Sequence, residues 1–301
     1  MLITVFTPAY NRAHLLPRLY ESLKAQTFQD FEWIIVDDGS TDDTEEVVKD
    51  WLQPEGGGNN FLPLEGINGG IRYIKQPNGG KHRAINRGVQ EARGELFFIV
   101  DSDDKLPPAS LERIAHYYGQ VSGDTHFAGV CGLKCYFDGR QVGGEQLFDI
   151  TDCSMLDIRL KHNIKGDMAE VFRTDVLREL PFPEHEGERF CPEDLVWNRI
   201  SQKYIMCFFH EPIYECEYQS DGLTAKIIKI RMDSPIASAT HYKELNTYNI
   251  PFKEKVKAAI NYWRFSFCAQ SKKQLPKLPW FWYWTMPLGL AMHLLDKKNI
   301  K

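Results

Sequence analysis

The chain has 301 residues, 43% hydrophobic and 26% charged, which is enough to bury a full core and excludes a disordered or fibrous chain. The formal charge of −5 gives no overall basicity for nucleic acid, yet from residue 252 onward ten Lys/Arg stand against two Asp/Glu. An acidic body with a basic end implies an end that meets an anionic surface.

The opening MLITVFTPAYNR has no basic stretch followed by an apolar run, so it reads as a first strand over residues 2–6 rather than a secretory leader. Leu15, Leu16, Leu19 and Leu23 predict a helix over 14–26. FEWIIV (31–36) is the next strand, ended by Asp37-Asp38-Gly39-Ser40, with Ser40 or Thr41 expected to cap a helix reaching Trp51. Residues 53–70 are Gly/Asn/Pro-rich and read as a loop. A strand over 71–75, a helix over 80–91 and a strand over 96–100 (LFFIV) follow. Strands alternating with helices predict a parallel, doubly wound α/β sheet. The second half is less regular, with strands expected over 128–137 and 213–218 and helices over 156–162, 173–179 and 194–204. Val256, Ala259, Ile260, Trp263 and Phe267 place a strong amphipathic helix over 253–270. The seven cysteines include no C-x-x-C pair, and nothing beside Cys131 and Cys135 completes a zinc set, so free thiols in a reducing cytosol are expected.

An open parallel sheet binds ligands outside the carboxyl ends of its strands. The first strand delivers Thr7, Tyr10, Asn11 and Arg12 there; the second delivers Asp37 and Asp38; the fourth delivers Asp101, Ser102, Asp103 and Asp104. Three carboxylates in four residues repel one another, and a divalent cation such as Mg²⁺ or Mn²⁺ removes that penalty. The plainer reading is a solvated turn before the next helix, disfavoured by the position directly after LFFIV. Asn78-Gly79-Gly80-Lys81-His82 enters a helix and suits an anion. It is not a Walker loop, and no G-x-G-x-x-G follows the first strand, which excludes P-loop ATPase and dinucleotide dehydrogenase readings. Pro192-Glu193-Asp194 opens a helix, where carboxylates favour the helix dipole or one of them serves as a base. His210 reads as a structural histidine at a strand end in preference to a metal ligand.

Taken in order, these motifs resemble the family 2 glycosyltransferases of GT-A fold. They are Thr7-Pro8-Ala9-Tyr10-Asn11-Arg12, Asp37-Asp38-Gly39-Ser40-Thr41-Asp42, Asn78-Gly79-Gly80-Lys81-His82 with Ala84, Asn86 and Gly88, Asp101-Ser102-Asp103-Asp104, and Glu193-Asp194. The resemblance covers residues 1–225 and implies a GT-A domain, with a nucleotide-sugar half over about 1–105 and an acceptor half over about 106–225. It implies inverting, metal-dependent transfer from a nucleotide-sugar, a UDP-sugar above all, to a saccharide acceptor in capsular or exopolysaccharide biosynthesis; a lipid-linked saccharide acceptor would explain a membrane-associating end. By that likeness Thr7, Ala9, Tyr10, Arg12 and Asp38 hold the nucleoside, with Lys81 near the base or the diphosphate. Asp101 and Ser102 belong to the ribose and metal region, Asp103 or Asp104 ligates Mn²⁺ or Mg²⁺, and the Glu193-Asp194 pair supplies the base, assigned to Asp194. Ile85 stands where many relatives carry Arg, so nucleotide contacts from that helix fall to Lys81 or His82. Ser220-Asp221-Gly222-Leu223-Thr224 is expected to form a lid. A sugar-phosphate nucleotidyltransferase would share the sheet and metal but needs a Gly-rich first loop; a catalytically silent partner subunit has no need for the full acidic set.

Residues 226–301 are expected to form a helical, amphipathic, membrane-associating region. Lys253, Lys255, Lys257 and Arg264, then Lys272, Lys273 and Lys277, precede five consecutive aromatic residues, 280–284. Basic residues beside aromatic ones suit anionic lipid. The apolar segment 278–295 contains Pro279, Pro287 and His293, so an in-plane or re-entrant anchor is preferred to a docking surface or a span. Together these features place the protein in the cytoplasm, peripheral on the inner face of the membrane.

Overall fold

In the computed structural model, which describes residues 1–52, 67–217 and 226–300, the first hundred residues run as alternating strands and helices. They are β1 (Ile3–Ala9), α1 (Leu16–Lys24), β2 (Phe31–Asp37), α2 (Thr44–Leu52), β3 (Ile71–Lys75), α3 (Lys81–Glu91) and β4 (Leu96–Ile99). These four strands pair in parallel in the order β3-β2-β1-β4. All seven residues of β2 are buried, as a central parallel strand covered on both faces requires. A Cβ on Gly88 would lie 2.3 Å from the Phe6 ring, so glycine lets α3 settle onto β1. The cap expected of Ser40 or Thr41 is corrected. Helix α2 starts at Thr44, whose N–H donates to Asp42 Oδ1 at 3.1 Å, while Ser40 Oγ accepts from Asn11 N–H.

Beyond β4 come α4 (Ser110–Val121), β5 (Phe127–Tyr136), β6 (Thr151–Cys153), α5 (Met155–Leu160), β7 (Met168–Arg173), α6 (Thr174–Glu179), α7 (Glu193–Ile200) and β8 (Ile205–Cys216). The sheet has eight strands in the order β3-β2-β1-β4-β7-β5-β8-β6. It is mixed rather than wholly parallel. β5 and β8 run parallel, whereas β4/β7, β5/β7 and β6/β8 are antiparallel. The sequence reading misses β6 and β7 and starts β8 eight residues late, because Glu170, Arg173 and the two-residue break at His210-Glu211 hide their apolar alternation.

By contacts the chain divides into two compact units, 1–79 with 83–181 and 200–217, and 80–82 with 182–199 and 218–301. The second unit carries α8 (Ile227–Asp233), α9 (Pro235–Thr247), α10 (Phe252–Ser266), a 3-10 turn (Trp280–Thr285) and α11 (Met286–Asn299). Its residues 182–199 are stitched to the helices. The buried Glu188 carboxylate accepts N–H bonds from Ile236 (2.6 Å) and Ala237 (2.9 Å) at the start of α9, and Arg199 makes a bidentate pair with Glu244. Ala239, Ala259, Tyr262, Leu278 and Trp282 form a core there. The helix expected over 253–270 ends at Ser266. All seven cysteines are free. Among the described residues no helix is long and apolar enough to cross a membrane. Most of the loop expected over 53–70, and the lid expected over 220–224, lie outside the described residues.

Candidate active site

β1 has β2 on one side and β4 on the other, so strand order reverses at β1, the switch point where open α/β sheets bind ligands. The first unit brings the carboxyl ends of β1, β2 and β4 to one rim, with Ala9 opposite Asp37 in the register and Val100 N–H donating to Phe6 C=O at 2.8 Å.

The groups at that rim divide into scaffold and surface. Thr7 is fully buried and its hydroxyl accepts from the Trp33 indole N–H at 2.9 Å, so the side chain expected to hold a nucleoside is spent within the sheet. Ala9 is buried and its C=O accepts from Asp38 N–H at 2.8 Å. Asn11 adopts φ 55° and its Oδ1 accepts from Thr41 N–H at 2.9 Å, locking the first loop against the second. Tyr10 is exposed, whereas Arg12 is half-buried and its Nη1–H donates to Asn11 C=O at 3.3 Å. Asp37 accepts from Ser40 N–H (2.7 Å) and from the Tyr73 hydroxyl, which makes it structural. Asp38 Oδ1 accepts from Gln76 Nε2 (2.8 Å) and Gly79 N–H (2.9 Å), tying the end of β2 to the Asn78-Gly79 loop.

The acid loop after β4 is a tight turn, with Asp104 N–H donating to Asp101 C=O at 3.1 Å. Ser102 and Asp104 are buried; Asp101 and Asp103 are half-buried. Burial first, then the charges of Asp101 and Asp103, push the Asp104 carboxyl up to about 7. Three residues that sequence reading missed stand behind it. The Tyr214 hydroxyl donates to Asp104 Oδ2 at 2.6 Å and accepts from Asp101 N–H at 2.9 Å. The Lys134 ammonium lies 4.2 Å from the Tyr214 ring centroid. Desolvation would lower its pKa, but Glu170, Asp101, Asp104 and Asp167 outweigh that and raise it. Burial pushes Glu170 up to about 7 against the pull of Lys134 and Arg159. Their only signal in the sequence was a charge or hydroxyl inside an apolar strand.

Within the second unit, Lys81 pairs with Glu193 at 2.9 Å, joining two motifs more than a hundred residues apart. Gly80, at φ +96°, has no room for a Cβ, which would lie 1.9 Å from Arg189 C=O. His82 is buried and has almost no surface to offer a nucleotide. Pro192 precedes α7, Glu193 is half-buried and Asp194 is exposed in the first turn. His210 Nε2–H donates to Gln146 C=O at 2.8 Å, the structural role expected of it.

Residues 4–131 match the family model "Glycosyl transferase family 2". Over that segment the chain is similar to glycosyltransferase family 2. A curated relative is GalNAc(5)-diNAcBac-PP-undecaprenol beta-1,3-glucosyltransferase of Campylobacter jejuni, 28% identical over 60% of this chain and 55% of that one. Another, poly(ribitol-phosphate) beta-N-acetylglucosaminyltransferase TarS of Staphylococcus aureus, is 27% identical over 74% of this chain and 37% of its own. The chain thus spans about half, or less, of the length of these curated relatives. Its fold matches the crystal structure of S. aureus TarS 1-349 in complex with UDP-GlcNAc, with a TM-score of 0.61 and 17% identity over 100% of this chain and 91% of that one. It also matches a Pyrobaculum calidifontis mannosyltransferase in complex with GDP-Man and Mn²⁺, with a TM-score of 0.55 and 17% identity over 98% and 75% of the two chains. The mixed, mostly parallel sheet with C-terminal helices is therefore a GT-A fold.

The acid loop fits a divalent cation by its chemistry. Burial and the neighbouring charges of Asp101 and Asp103 raise the Asp104 pKa, and crowded carboxylates of this kind are a donor set that a hard cation relieves. No cluster of three or more His, Cys, Asp or Glu among the described residues is arranged to hold a metal ion unaided. Phosphate oxygens of a bound ligand are the kind of donor that completes such a set around Mg²⁺ or Mn²⁺.

Proposed function

We propose that the chain transfers a sugar from a nucleoside-diphosphate sugar, UDP-linked by preference, to a saccharide acceptor, inverting the anomeric centre, in the building of a bacterial surface glycan. One observation carries the reading: the Asp101–Asp104 turn sits at the carboxyl end of β4, beside β1, where strand order reverses. The names of the relatives support UDP-sugars as donors and a lipid-linked saccharide as acceptor.

Tyr10, Arg12 and Asp38 are the residues proposed for the nucleoside, with Thr7 and Ala9 shaping the wall behind them. Asp103 is the proposed direct metal ligand, because Asp104 is buried against Tyr214. Asp101 and Ser102 support it. Mn²⁺ or Mg²⁺, when bound, neutralises charge on the leaving diphosphate. Asp194 is the proposed base that takes the proton from the acceptor hydroxyl. Glu193 is committed to Lys81, and Asp194 is the exposed member of the pair. A single carboxylate base with no enzyme nucleophile corresponds to one displacement and hence inversion. Nucleotidyl transfer finds no support, since its Gly-rich first loop is missing.

Thermal shift against UDP-, GDP- and dTDP-sugars, each with Mn²⁺ and with EDTA, tests the donor assignment. One UDP-sugar should stabilise the protein with metal and lose that effect in EDTA; equal, negligible shifts from every nucleotide would reject it.

A further inference from the structure

Helix α11 is built inside out. A helix lying on a protein body normally turns its apolar stripe inward. In α11 the inward positions are Gly289 and His293, continued from Thr285 and followed by the half-buried Asp296, at the three- and four-residue spacing of one face. Each is used against α10. A Cβ on Gly289 would lie 2.7 Å from Ile260 C=O, His293 Nδ1–H donates to Arg264 C=O at 3.1 Å, and Asp296 forms a bidentate pair with Arg264 at 2.5 and 2.7 Å. The apolar residues point the other way. Trp280 is 82% exposed, and Phe281, Trp284, Leu288, Leu294 and Leu295 are each more than half exposed. Only Trp282 of the aromatic run turns into the core.

We propose that this outward face of the second unit lies in the interface of an anionic lipid bilayer. Three features choose lipid over a protein partner or a second copy. Exposed lysines bracket the apolar face at both ends, Lys272, Lys273 and Lys277 before it and Lys297 and Lys298 after it. The region's two acids are spent internally, Glu254 on Lys257 and Asp296 on Arg264, which leaves the surface cationic. Tryptophan and tyrosine dominate the entry turn, as they do at the headgroup level of bilayers. The fourteen residues of α11 extend about 21 Å, short of a hydrocarbon core of about 30 Å, so the helix lies in the plane and does not cross. The surface goes beyond the donor reading and does not depend on it, but it brings the enzyme to the place where a lipid-linked acceptor resides.

Co-sedimentation of the full chain with phosphatidylglycerol and with phosphatidylcholine vesicles, at low and high salt, tests this. Binding should favour the anionic vesicles by on the order of tenfold or more and weaken with salt. The double variant Leu288→Glu, Leu294→Glu changes only exposed positions and should lose that binding at least tenfold while UDP-sugar still raises Tm. Negligible binding of the wild type to both vesicles overturns the inference, as does a concentration-dependent dimer that the double variant dissociates. In the wild type, absent vesicle binding with an intact donor shift removes the lipid face alone; an absent donor shift with intact vesicle binding removes the donor reading alone.

Discussion

Tyr214 carries two jobs on one hydroxyl, accepting from the Asp101 amide and donating to the Asp104 carboxylate. Tyr214→Phe removes both bonds while keeping the ring in place. We expect a stability loss of about 1–3 kcal/mol from the unsatisfied buried carboxylate, together with a several-fold rise in the Mn²⁺ concentration needed for half-maximal activity. An unchanged metal requirement would make the hydroxyl a packing feature only. Asp103→Ala changes a half-buried side chain, so turnover should fall by more than 10²-fold with Tm almost unmoved, as read from kinetics and melting on the same sample. Asp194→Asn should keep UDP affinity and lose turnover by about 10²-fold or more. An active Asp194→Asn beside an inactive Glu193→Gln would reverse the assignment of that pair.

At the level of elements, strands with a dense apolar run were readable and those interrupted by several charges were not. FEWIIV and LFFIV announced β2 and β4, and the Gly-rich entry announced α3. β7 was hidden because Glu170 and Arg173 sit in it; the charges that offset Glu170, Lys134 and Arg159, lie on β5 and α5, while Arg173 pairs with Asp175 just past the strand end. α9 was hidden for a related reason. It buries Ser238, His241 and Asn246 among Ile236, Ala237 and Ala239, so no apolar stripe shows. His241 has a measurable consequence. Burial, then the charge of Arg231, lowers its pKa to about 3, and Nδ1 has no hydrogen-bond partner among the described residues. The unfolded chain therefore takes up this proton near pH 6.5 and the folded chain only near 3, so stability falls as pH drops between those values, by up to about 1.4 kcal/mol per pH unit. His241→Gln should flatten that part of a denaturation-versus-pH profile; an unaltered slope would assign the effect to other groups.

At the scale of the whole molecule, the motifs in order were enough to reach the resemblance to family 2 and the GT-A fold, and the strand ends were enough to reach the rim of the candidate site. What could not be read was which side chains the scaffold consumes. Thr7 and Asp37 looked as available as Tyr10 and Asp38 until their partners Trp33 and Tyr73 were brought beside them by strand pairing. Nor could the sequence reveal that the basic end is no appendage. α10 packs on α9 and contributes Ala259 and Tyr262 to a shared core, so deleting residues from 252 onward should unfold the second unit rather than release a soluble enzyme. Limited proteolysis of such a truncation should show rapid loss of α9.

The most direct measurement is UDP release from UDP-sugars in the presence of a lipid-linked saccharide, run with Mn²⁺, with EDTA, and with Asp103→Ala. We expect acceptor-dependent release from one UDP-sugar that disappears in EDTA and in the variant. Undiminished release in EDTA, or no release from any nucleotide-sugar, would contradict a metal-assisted transfer seated on the β1–β4 rim.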